Sequence, residues 1–208
     1  MPTGPIPFRV VPPSAPRRRA LGALGAGLLA AVGLAPRRAG ADVIPVKSAE
    51  LRVEDGEVLL NAEFELSLNA TLEEALQNGV PLYFLLEVEL SRPRWWWLDE
   101  KVLATSTTWR VSYAPLARQY RVSSGLIAQT VPSLAEVERL IGRVTSRAVA
   151  RVTELIPGAR YDAAVRLRLD VNQLPKPFQI NAITNRDWNP QSEWTTFSFT
   201  PSTPKSAQ

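Results

Sequence analysis

The chain contains no cysteine and no histidine. Disulfides, thiol nucleophiles, thiolate metal sites, imidazole bases and imidazole metal ligands are excluded together, and most catalytic triads go with them. Lysine is scarce after residue 41, with only Lys47, Lys101, Lys176 and Lys205. No Gly-x-Ser-x-Gly nucleophile elbow occurs. An enzyme built on this chain would have to work with carboxylates, tyrosine, arginine or a Ser-Lys pair. No cofactor and no metal site is expected.

Acid is absent from the first 41 residues, whereas Arg9, Arg17, Arg18, Arg19, Arg37 and Arg38 all fall there. The whole chain carries +4, but beyond Ala41 there are 18 basic residues against 20 acids, a charge of −2. A near-neutral domain lacks the bulk attraction to phosphate that nucleic-acid binders show, so nucleic acid is not an expected partner. An anionic membrane surface is disfavoured for the same reason. Long apolar runs are missing too. The stretch from Ala20 to Val32 follows three arginines, is mostly alanine and leucine, and is broken by Gly22, Gly25 and Gly27. A membrane span needs about 20 apolar residues, and a secretory leader needs about 7–15. Residues 1–41 therefore read as an export signal, with Ala39-Gly40-Ala41 as a small-x-small exit. The expected location is periplasmic, with no transmembrane span in the mature form and an uncleaved inner-membrane anchor as the alternative. Arg18-Arg19 suits the twin-arginine route, and three adjacent arginines suit general secretion equally well.

Residues 42–200 are long enough for one domain with its own core, and 201–208 form a Pro/Ser/Thr tail expected to be disordered. Asp55-Gly56 between alternating segments predicts a hairpin. Leu60 to Leu68 alternates apolar and polar with a period of two. Asn69 and Asn78-Gly79 bracket a short helix, and Ser133 and Gly142 a second. Strands are predicted from Pro81 to Leu90, Trp97 to Tyr113, Gln119 to Ser123, Thr145 to Thr153, Tyr161 to Val171, Phe178 to Ile183 and Trp194 to Phe199. The expected fold is mainly β, an antiparallel β-sandwich or strongly curved sheet with two short helices.

Three segments carry a resemblance: Glu89-Leu90-Ser91-Arg92-Pro93-Arg94-Trp95-Trp96-Trp97-Leu98-Asp99-Glu100, Arg118-Gln119-Tyr120-Arg121-Val122, and Leu169 to Gln179 with its Leu174-Pro175-Lys176-Pro177-Phe178 core. They resemble the proteobacterial family called domain of unknown function 4390, over about residues 45 to 200. Some members are labelled proline-rich signal peptide protein. The resemblance implies an exported envelope protein, with no established activity and no catalytic residues to carry over.

Four features remain as functional candidates. Trp95, Trp96 and Trp97 form a large amphipathic group of the kind enriched at binding hot spots. With Arg92, Arg94 and Trp188 they make the candidate binding surface, for an envelope protein or an apolar ligand. The structural alternative packs one face into the sandwich and stacks Arg92 or Arg94 on the other. Arg139, Arg143, Arg147 and Arg151 recur every four residues as on a helix, although Gly142 and the β-branched residues after it argue that the helix stops first. Glu63, Glu65, Glu87 and Glu89 could converge if their strands paired, as acid and base of a hydrolase acting on envelope polysaccharide. The Pro175–Pro177 segment reads as the stiff entry to a strand.

Overall fold

The computed structural model describes residues 43–94 and 100–201, all within the compact unit spanning 39–208. Asp55 and Gly56 both take positive φ, 50° and 80°, which is the twist a two-residue hairpin needs. They fold β1 (Val46–Glu54) back on β2 (Glu57–Phe64), with Glu54 opposite Glu57. The Asn69 side chain accepts the Leu72 N–H at 3.0 Å and starts α1 (Ala70–Gln77). β3 (Leu82–Arg92) and the long β4 (Glu100–Ala114) follow, then β5 (Gln119–Ser124) and β6 (Ile127–Val131). Ser133 caps α2 (Leu134–Gly142), which runs directly into β7 (Arg143–Arg151). The chain closes with β8 (Tyr161–Leu169), α3 (Lys176–Thr184) and β9 (Thr195–Phe199).

All ladders are antiparallel. They make a three-stranded sheet, β1-β2-β7, and a six-stranded sheet, β6-β5-β4-β3-β8-β9. Leu60, Ala62 and Phe64 of the small sheet share one core cluster with Phe84, Leu86 and Val88 of β3 and with Val165 and Leu167 of β8. A second cluster joins Val58 of β2 to Leu90, Tyr161 and Phe199. The inner faces of the two sheets therefore bury each other, as in a sandwich. Leu72 and Leu76 of α1 and Val137 and Ile141 of α2 complete the main cluster.

The mainly β fold, the two-sheet packing, the hairpin, and the caps at Asn69 and Ser133 are as the sequence predicts. The third helix is a correction, because Phe178 to Ile183 is helical and not a strand. Pro177 lies in the first turn of α3, where the missing N–H needs no partner. β8 already has β3 and β9 as neighbours, so no sheet edge is open there to receive another strand. The predicted strand to Leu68 stops pairing at Phe64, although Leu66 and Leu68 stay buried. β6 is an element the sequence reading did not contain.

Gly142 decides where α2 ends. A Cβ built there would lie 2.6 Å from the Phe64 carbonyl oxygen, a backbone atom that cannot swing aside. Glycine lets the helix terminus approach β2 this closely. Gly142→Ala is expected to cost about 1–3 kcal/mol by overpacking, read as a lower denaturant midpoint. A midpoint unchanged from wild type would show that β2 moves away freely.

Candidate functional site

The candidate surface divides between the two ends of β3. At its C-terminal end, Arg92 stands opposite Glu100 across the ladder, and both Arg92 and Arg94 bond the Glu100 carboxylate, Arg94 at 2.5 Å. Hydrogen bonds from Arg92 and then Arg94 hold the Glu100 carboxyl below its usual range. These guanidiniums clamp the base of the β3–β4 connection. Trp95, Trp96 and Trp97 occupy that connection and lie outside the described residues.

Trp188 belongs to the other end. It follows the stretch in which the Asp170 N–H donates to the Tyr83 carbonyl, near the start of β3. Tyr83 and Arg92 are nine positions apart along β3, roughly 30 Å by strand rise. Trp188 is also 6% exposed, a member of the main core, with its ring centroid 5.0 Å from that of Phe178. It closes the core beside α1, in a shallow depression of about 230 Å³ lined by Thr71, Ala75 and Phe178 among others. The structure therefore does not bring Trp188 together with Arg92 and Arg94, and its indole packs in the main core. A short 3-10 turn, Arg186–Trp188, turns the indole inward. Trp188→Ala is expected to cost about 3–5 kcal/mol in urea unfolding. A loss well under this range would mean that the indole is peripheral to the core.

The four glutamates do not converge. β2 and β3 belong to different sheets; Glu63, Glu87 and Glu89 alternate with the buried residues of their strands, and Glu65 is exposed just past the end of β2. Three of the four are ion-paired: Glu65 with Lys47 at 3.0 Å, Glu89 with Lys101 at 2.8 Å, and Glu87 with both Arg166 at 2.7 Å and Arg168 at 3.0 Å. Glu63 faces Arg143 in register. The Glu87 group is the most sheltered of these. Arg168 extends it to Asp170 at 3.7 Å, and the Arg166 guanidinium lies 4.5 Å from the Trp194 ring centroid. The sequence reading missed this cluster because its members come from β3, β8 and the approach to β9, and only register aligns them.

Burial alone would raise the Glu87 pKa, but hydrogen bonds and charge from Arg168 and Arg166 outweigh it and bring it below the ordinary value of 4.5. A depressed carboxyl stabilises the fold above its unfolded pKa, and that contribution is lost as pH falls through the folded value. Glu87→Gln is expected to lose about 1–3 kcal/mol at neutral pH, with the gap to wild type closing below 4.5. Unfolding curves that stay equally far apart in acid would show that the ion pairs contribute nothing to pH stability.

Among the described residues no group of three acidic side chains is arranged to hold a metal ion, and no helix is long and apolar enough to cross a membrane.

A two-sheet antiparallel β domain, closed by short helices and with two arginines clamping Glu100 at the base of the β3–β4 connection, is the class of protein these features define. Residues 41–198 match the family model described as domain of unknown function (DUF4390), and the chain belongs to that family. No curated protein and no solved structure matches it.

Proposed function

We propose that the chain is an exported, non-enzymatic binding or scaffolding module of the cell envelope, working through the Trp95–Trp97 connection and the sheet surface beside it. The observation that carries the reading is the clamp of Arg92 and Arg94 on Glu100. It ties together the two strand ends between which three consecutive tryptophans fall in the sequence, and tryptophan is the residue most enriched at binding hot spots. Residues 1–41 act in this reading as the leader that takes the domain to the periplasm, followed by one domain over 42–200 and a short tail. The partner is an envelope protein or an apolar ligand.

A second reading, a hydrolase of envelope polysaccharide, needs two carboxyls facing each other across a cleft. Glu63, Glu65, Glu87 and Glu89 do not supply that pair, being divided between two sheets.

The test is a pull-down of the tagged protein from a lightly crosslinked envelope extract, with a Trp96→Ala/Trp97→Ala variant beside it. Mass spectrometry would cover proteins and small molecules. The expected result is a protein or lipid captured by wild type and lost from a variant with unchanged circular dichroism. A folded variant that keeps every co-purifying species would sink the tryptophan reading.

A further inference from the structure

The free edges of the two sheets are not alike. β7 is an edge strand that is defended: its pairing with β2 is interrupted by bulges, Ser146 takes φ 47°, and Arg143, Arg147 and Arg151 are exposed along it. Bulges and charges are how natural edges resist pairing. β6, at one end of the large sheet, has neither. Its residues Ile127, Ala128, Gln129 and Thr130 are exposed and uncharged, its ladder with β5 has no shift, and it contains no proline.

The hydrogen-bonding groups of that edge can be assigned. Gly125 and Leu126 form a two-residue turn, with Ser124 opposite Ile127. The pair flanking such a turn exchanges both hydrogen bonds, and bonded pairs alternate with unbonded ones. Ile127, Gln129 and Val131 therefore bond inward to β5. Ala128 and Thr130 direct their N–H and C=O groups outward, unclaimed by any other strand.

Beside this edge lies a groove of about 360 Å³. Gln129 and Val131 of β6 form one wall, Arg143 and Thr145 of β7 the other, and Arg139 of α2 lies between them. Glu136, in the first turn of α2, is the single acid there. The guanidinium groups of Arg139, Arg143, Arg147 and Arg151 make no ion pair among the described residues. The fourfold spacing is thus no helical stripe. The helix ends at Gly142; Arg143 lines the groove, and Arg147 and Arg151 lie further along the exposed side of β7.

We infer that β6 is a docking edge for an extended acidic peptide segment of a partner protein, which adds as a further strand and lays its carboxylates against Arg139 and Arg143. Main-chain bonds to Ala128 and Thr130 would give the affinity, and every second side chain, on the face shared with Gln129 and Val131, would lie over the groove. Charge complementarity chooses this occupant. A second copy paired through β6 would bring two arginine-lined grooves together, so the arrangement that attracts an acidic strand also opposes self-association. The inference does not depend on the tryptophan connection, which lies on a different pair of strands.

The test is fluorescence anisotropy with the full chain at low salt. The probe is a labelled peptide of about ten residues alternating Glu and Val, which is long enough to cover β6. Its Lys/Val counterpart serves as control. Saturable binding of the acidic peptide alone, weakening as salt is raised, is expected. Arg139→Glu with Arg143→Glu should weaken it at least about tenfold. Thr130→Pro, which removes an outward N–H without breaking the β5 ladder, should weaken it comparably. Each variant's melting curve would be recorded, and Arg151→Glu, on the same strand but away from the groove, controls for loss of bulk charge. No binding by wild type would overturn the inference. So would equal binding of both peptides, equal loss in Arg151→Glu, or a folded Thr130→Pro variant with wild-type affinity. A wild-type dimer in sedimentation that Thr130→Pro dissolves would assign the edge to a second copy instead.

Discussion

The domain depends on the two-faced character of β3. Its inward residues Leu82, Phe84, Leu86, Val88 and Leu90 are almost completely withdrawn from water. The residues between them carry the ion pairs of the outer surface. β3 has β4 on one side and β8 on the other, so both of its edges are satisfied within the sheet. A slip of one residue against either neighbour would drive Glu87 and Glu89 into the core and turn Phe84 and Leu86 out to solvent. Burial and charge enforce the same register, and the small sheet and the helices are placed by what that inner face leaves uncovered.

The outer ion pairs bear on chemistry as well as on register. A carboxylate used as an acid or base must be free to change its protonation near the working pH. Glu87 and Glu100 are pulled the other way, toward permanent ionisation, by paired arginines. Side chains in this state orient strands and clamp a hairpin, and they are poorly suited to carrying protons.

Much of the fold was legible because each local signal agreed with the global one. Asp55-Gly56, the Asn69 and Ser133 caps and the alternation along β3 all act within a few residues, and tertiary packing reinforces them. α3 was misread because Phe178, Ile180 and Ile183 favour strands by composition, and the two prolines that fit a helical first turn also fit a strand entry. β6 leaves no signal because it is short and its first four residues, Ile127 to Thr130, are exposed on both faces, which removes the alternation that marks a half-buried strand. The candidate site was legible only in part. Arg92 and Arg94 adjoin the tryptophans in sequence and meet on Glu100 in the fold, but Trp188 joins them only by residue type, and type says nothing about which end of a strand a side chain occupies. The Glu87–Arg166–Arg168 cluster has no sequence-local trace at all.

The chain enters and the hairpin departs at different places. Val43 bridges Gln191, which in turn bridges Arg168, level with Leu85 near the start of β3. The arginine clamp is at the other end of the same strand, roughly 20–25 Å away by strand rise. Pro201, the last described residue, is buried and accepts the Gly158 N–H at 3.1 Å, close to Tyr161 and therefore to the clamp end. The domain thus has a polarity along β3. Any tether acting through the segment before Val43 would therefore pull on the end of β3 that lies away from the arginine clamp, and the load would pass along the most buried strand of the domain.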